Sequence, residues 1–293
     1  MLTLQVIASG LLLGGFYACL AIGFSVAWGV TGLINLSHGT LMVIGAYVTW
    51  LLHTHLGLDP FAALPLTGAV LFLFGLLLQR YLLERVIHSS LFMTLVLTFG
   101  LNMLLVNILL ELFSADVRAI TLPYSSMALE IGGLRLPWTR IAVCGLALLL
   151  TLLLHLFMGY TRTGHAIRAT AQNPAAAATL GIDARRMRMI AFGLGAGLAG
   201  AAGSLMAALY AFAPGSGDNY TMKAFVIVLL GGLGNMGGAI AAAMLLGVAE
   251  SLVSGLGAPG LRDAVSFLLL LAVLLLRPRG LFGARHMVDA RAR

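Results

Sequence analysis

Apolar runs long enough to cross a lipid bilayer recur along this chain, and one basic island interrupts them. A spanning helix needs about 20 apolar residues in succession. The island, residues 161–188, reads TRTGHAIRATAQNPAAAATLGIDARRMR. It holds Arg162, His165, Arg168, Arg185, Arg186 and Arg188, with Asp183 as its only acid. Of the 293 residues, 60% are hydrophobic and 9% charged. A soluble domain carries about 25% charged residues, so this chain cannot cover itself with polar side chains. The expected fold class is all-α, a polytopic membrane helix bundle. The whole chain, 1–293, reads as one transmembrane domain.

Taken in order, the chain gives about eight hydrophobic segments: 4–30, 40–56, 60–79, 91–113, 138–160, 189–212, 223–255 and 262–276. The turn TGLINLSHG separates the first two. The link RYLLERVIHSS, with Arg80, Arg85 and His88 against Glu84, follows the third. Residues 114–137 are mixed, and the alternation around ALEIGGLRLP predicts a small β-hairpin. The loop PGSGDNY follows the sixth segment. Within the island, Ala-rich residues 164–179 predict a short helix with a local break at Asn173-Pro174, since Ala favours helix and Pro suits a first turn. Cys19 and Cys144 lie inside apolar runs and suggest neither a disulfide framework nor a metal site. The N-terminal stretch lacks the basic region of a cleaved signal peptide, and its apolar run is too long for one.

The net charge of +7 sits mostly in the island and in the tail, at Arg277, Arg279, Arg285, Arg291 and Arg293. The positive-inside rule therefore places the island (161–188) and the tail (277–293) in the cytoplasm. Parity then puts residues 114–137 and the N-terminus outside. It also requires residues 223–255 to leave from and return to the outer side. Those residues are too few for two full spans and a turn. The expectation is a re-entrant pair of part-helices meeting at the glycines of GGLGNMGG, which is tolerated where protein or a water-filled cavity surrounds the backbone.

Two glycine-asparagine breaks share the pattern G-L-x-N, one over residues 32–39 and one over residues 232–239. Corresponding interruptions in two halves of a transporter point toward the solute path. Gly32, Asn35, His38 and Gly39, with Gly231, Gly232, Asn235 and Gly238, are therefore candidates for that path. The alternative is ordinary Gly/Asn turns. His38 alone is weak evidence, and Asn102 and Asn107 more often join helices together. Glu250 is the clear carboxylate inside a late apolar segment, and an intramembrane ionisable residue suggests function. Lys223 and Glu111 fall near segment ends, where they can snorkel. The chain lacks the buried carboxylates and histidines of a proton- or sodium-driven carrier, a Walker phosphate loop, HExxH and GxSxG. No catalytic, cofactor-binding or metal residue is assigned, and the chain reads as a non-enzyme.

Three motifs carry a family resemblance over nearly the whole length: INLSHGTLMVIGAY (34–47), GHAIRATAQNPAAAATLGI (164–182) and KAFVIVLLGGLGNMGGAIAAAMLLGVAE (223–250). The chain resembles a permease subunit of the branched-chain amino acid type of ABC importer. The Asn-x-x-His-Gly form is similar to the shorter, Liv-type subunit, and the extra N-terminal spans of the longer partner are missing. The ending RPRGLFG departs from this, because it is more usual in the longer subunit and in urea-type relatives.

The resemblance implies an inner-membrane, binding-protein-dependent importer for branched-chain or related amino acids. It implies a second, homologous permease as heterodimer partner, a solute-binding protein and two cytoplasmic ATPase subunits that bind the ATP. The island would be the coupling segment, with Gly164, Arg168, Ala169, Ala177, Gly181 and Ile182 at the ATPase. Urea, short amides or aromatic amino acids remain open as substrates. A secondary carrier coupled through Glu250 is the alternative from another class. It would need no ATPase.

Overall fold

The computed structural model describes residues 2–87, 89–131, 133–277 and 280–282. Among these, the chain forms helices α1 (Leu2–Thr31), α2 (His38–Leu56), α3 (Pro60–Tyr81), α4 (Leu91–Phe113), α5 (Trp138–Tyr160), α6 (Arg162–Gln172), α7 (Pro174–Thr179), α8 (Ala184–Leu209), α9 (Gly217–Gly231), α10 (Met236–Gly255) and α11 (Arg262–Leu276). Strands β1 (Ala128–Ile131) and β2 (Leu134–Pro137) pair antiparallel in the expected hairpin, with Leu129 opposite Leu136 and Glu130 opposite Arg135. His88, Arg279, Arg285, Arg291 and Arg293 lie outside the described residues, as does most of the tail 277–293.

Among the described residues, six helices are long and apolar enough to cross a membrane: α1, α3 with the turn that follows it, α4, α5, α8 and α10. Of the about eight expected hydrophobic segments, these account for six. The remaining apolar segments form the shorter helices α2, α9 and α11, of 19, 15 and 15 residues. Two boundaries also move. The sixth segment begins at Ala184 rather than 189, because the Asp183 side chain accepts from the Arg186 N–H and caps the helix. The stretch GDNY, expected as loop, forms the first turn of α9.

α1 is the axis of the bundle. Phe16, Ala18, Cys19, Leu20, Ala21 and Ile22 are fully buried in a core shared with α2, α8, α9 and α10. Small residues bring the helices together, as membrane helices require. A Cβ on Gly45 of α2 would run into the backbone of Gly200 in α8, and one on Gly14 of α1 would run into Met244 of α10. One end of the bundle carries the β-hairpin, where Gln5 exchanges two hydrogen bonds with the Arg135 backbone at 2.6 and 2.9 Å. The other end carries the basic island, where Arg188 pairs with Glu84.

Two helices begin between these ends. α1 leaves the core at Thr31, and residues 32–37 turn back along the bundle. The Ile34 carbonyl accepts from Thr98 Oγ1 at 2.9 Å, and the His38 ring meets the Leu20 carbonyl at 3.1 Å. α2 thus starts at mid-height and runs to the hairpin end. α9 starts beside it and runs the other way, with Tyr220 against Phe16 and Phe225 against Phe24 and Trp28.

Candidate functional site

At the basic end, α6 and α7 form a bent pair. The Thr161 hydroxyl caps α6 by accepting from the Gly164 N–H at 2.9 Å. Gly164 is a close approach: a Cβ there would overlap the backbone of Phe157 and Met158. Asn173 breaks the pair at the expected place and caps α7 through the Ala175 and Ala176 N–H groups. α7 ends in a turn where Gly181 has φ +78° and the Ile182 N–H reaches back to the Ala177 carbonyl. Such a left-handed end favours glycine. Ala177 is buried, Ala169 and Ile182 are partly covered, and Arg168 and Gly181 are exposed. Arg162, His165, Ala169 and Ile182 line a shallow open groove with Tyr160 and Ala166. Two exposed apolar side chains, Tyr160 at 83% and Leu180 at 78%, complete this face. Sequence reasoning missed both, since a single Leu or Tyr beside apolar segments gives no signal of exposure.

At mid-height, the first glycine-asparagine break meets the start of α9. The Gly39 N–H donates to Thr221 Oγ1 at 2.8 Å, and that hydroxyl donates to the Leu36 carbonyl at 3.2 Å. A Cβ on Gly39 would overlap the Gly217 carbonyl. Thr40 Oγ1 donates to Asn102 Oδ1, and the Asn102 amide donates to Asp218 Oδ1 at 2.9 Å. His38 is buried, edge-on to Phe24. Asn35 accepts from the Ser37 N–H and hydroxyl and so shapes the turn. Gly32 adopts φ +67°.

The second break lies elsewhere. Gly231, Gly232, Asn235 and Gly238 close the turn between α9 and α10 at the basic end, where Gly234 approaches Gly29 of α1. Asn235 caps α10 through the Gly238 N–H and donates to the Phe282 carbonyl at 2.9 Å. The Leu281 N–H donates to the Leu230 carbonyl at 2.7 Å. The glycine pair at 231 and 238 packs backbone on backbone. Asn35 and Asn235 thus both serve local turns, and the first break starts close to the second, since Gly32 follows one turn after Gly29.

Glu250 is 1% exposed and fully engaged. Lys223 Nζ and Ser266 Oγ each lie 2.8 Å from its Oε1, and the Tyr17 hydroxyl donates to its Oε2 at 2.8 Å. Lys223 also lies 3.3 Å from Asp263. Lys223 therefore points inward to an ion pair instead of snorkelling to a surface. The cluster joins α1, α9, α10 and α11.

A polytopic apolar bundle with a capped basic helix pair at one end and polar contacts at mid-height is built as a membrane transport subunit. A profile of the branched-chain amino acid transport system permease component matches residues 6–274. The chain is 32% identical to the high-affinity branched-chain amino acid transport system permease LivH of Escherichia coli K12, over 96% of this chain and 95% of that protein. It is 31% identical to BraD of Pseudomonas aeruginosa PAO1, with the same coverage. For LivM of Escherichia coli K12 the identity is 31%, over 81% of this chain and 61% of that protein. No solved structure matches the chain. The chain belongs to the branched-chain amino acid permease family of ABC-type importers. It is a non-catalytic, multi-pass membrane subunit, and the family's seat is the bacterial inner membrane.

Proposed function

We propose that this chain forms half of the translocation pathway of a binding-protein-dependent importer for branched-chain or related amino acids. A second permease completes the pathway, two ATPases drive it from the cytoplasm, and a solute-binding protein delivers substrate from outside. End-to-end similarity to LivH, with matching length, is the observation that carries this reading. Similarity to LivM over a smaller share of that protein fits a longer homologous partner. The basic end faces the cytoplasm and the hairpin end, with the N-terminus, faces outward. In that orientation α9 and α10 leave from and return to the outer side, with α9 starting at mid-height as a part-helix. With α2 and α11 they bring the apolar segments to about eight.

α6 and α7 dock the ATPase. Gly164, Ala169 and Ala177 let the pair lie close to its neighbours, Gly181 and Ile182 set its exit, and Arg168 and Leu180 contact the partner. The first break borders the path from the end of α1, at Gly32 and Asn35, to mid-height, at His38 and Gly39. The second, at Gly231, Gly232, Asn235 and Gly238, lies at its cytoplasmic end. Glu250 serves the stability of that wall, because three donors already hold its carboxylate.

The first experiment is affinity purification in mild detergent. A second permease and ATPase subunits should co-purify, and the reconstituted assembly should take up leucine with ATP. Arg168→Glu and Leu180→Asp should leave the chain folded and inserted while uncoupling ATP hydrolysis from uptake. Normal coupling in both variants would remove the case for the basic helix pair. A chain that purifies alone and moves solute without ATP would overturn the importer reading.

A further inference from the structure

Asp218 is a carboxylate at an unusual height. Asn102, whose amide holds it, is the central residue of the 23-residue α4. The other partner of Asn102 is Thr40, in the first turn of α2, which itself begins at mid-height. Asp218 therefore sits near the middle of a helix of membrane-spanning length, far from either end of the bundle. Yet its side chain is exposed, and so is Asn219 beside it.

An ionised side chain at that depth is tolerated only against water, an opposing charge or a cavity. Among the described residues, no basic side chain forms an ion pair with Asp218. Lys223, one turn further along α9, is held by Glu250 and Asp263. The contrast with Glu250 is instructive. Glu250 has a lysine and two hydroxyls and is sealed in the core. Asp218 has one neutral amide, the N-terminal turn of α9 and an open side.

We infer that the Asp218 carboxylate binds the ammonium group of the substrate as it passes mid-membrane. Asn219, the next residue of α9, is exposed as well. The ligand class is then an α-amino acid or another primary ammonium compound. Neutral urea or a short amide would leave the carboxylate uncompensated, so the site separates the amino-acid reading from the urea reading. This inference rests on the importer reading for its amino-acid cargo.

The test uses the assembled importer in liposomes, with its binding protein, and measures leucine uptake and stimulated ATP hydrolysis separately. Asp218→Asn should keep subunit assembly and stimulated hydrolysis but lose about tenfold to a hundredfold in uptake, the cost of one charged hydrogen bond. Asp218→Glu, which keeps the charge, should retain most of the uptake. As a second measurement, Asp218→Cys should react with a membrane-impermeant thiol reagent in at least one nucleotide state, and leucine should slow the reaction. Cys19 and Cys144 are buried and give little background. Wild-type uptake in Asp218→Asn would overturn the inference. So would a cysteine that stays unlabelled in every state, or loss of the second permease from the Asp218→Asn complex, which would make Asp218 an interface group. If the wild-type assembly shows no ATP-dependent uptake at all, the importer reading falls and this inference with it.

Discussion

Lys223 shows how much a single side chain carries in a bundle of this kind. Its ammonium compensates Glu250 where α1, α9, α10 and α11 meet. Removing one member of a buried pair costs about 3–5 kcal/mol, because the survivor keeps its desolvation penalty. Lys223→Met should therefore lower the thermal stability of the detergent-solubilised protein by that order. Lys223→Met combined with Glu250→Gln should recover most of the loss, because no charge is then stranded. A double variant as unstable as the single would show that Lys223 acts through packing alone. The sequence singled out Glu250 but not its partner. Lys223 sits 27 residues before Glu250, and a lysine at the edge of an apolar run looks the same whether it turns inward or outward. Asp218 was hidden for a similar reason: the glycines around it read as loop, and only the fold lifts that loop to mid-height.

The helices divide by what their glycines touch. At Gly45 the α2 backbone lies against Gly200 of α8, whereas Gly145 on α5 has nothing within 4 Å of the place a Cβ would occupy. Gly45→Leu should abolish folded, detergent-stable protein, since the two helices would be forced apart. Gly145→Ala should be tolerated or gain up to about 1 kcal/mol, the helix-propensity difference between Gly and Ala. Size-exclusion profiles of the two variants would decide it; equal tolerance would mean that α2 and α8 do not depend on contact. The same closeness explains Gly39. A leucine there meets the Gly217 carbonyl, so loss of uptake in such a variant would report packing rather than a role in the solute path. Composition and run length revealed the long helices α1, α3, α4, α5 and α8, because an apolar stretch of that length has few other homes. The β-hairpin was legible from alternation in ALEI and LRLP. The division at Asn173-Pro174 was legible from the proline. The starting heights of α2 and α9 were not, because contacts with α4 and α1 set them and no local pattern encodes those contacts.

For the whole molecule, charge placement separated the basic island from residues 114–137, and the two do stand at opposite ends of the bundle, with the Arg188–Glu84 pair at the basic end. Charge could not reveal how the two glycine-asparagine breaks differ: the first carries the chain from the end of α1 to the start of α2 at mid-height, and the second closes the turn between α9 and α10. They share a pattern because both end in asparagine-shaped turns before a helix, at Asn35 and Asn235. The contacts made by residues 280–282 bear on the order of manufacture. Leu281 donates to the last turn of α9, and the Phe282 carbonyl receives the Asn235 amide. α9 and the turn after it are translated before these residues, so until they arrive the Leu230 carbonyl and the Asn235 amide lack these partners. A chain stopped after Arg277 should insert with the same sidedness yet be cut by protease at Leu233, while the full-length chain resists; equal resistance would show that the turn closes unaided. Residues 280–282 thus act as a latch on a turn that lies 47 residues earlier in the chain.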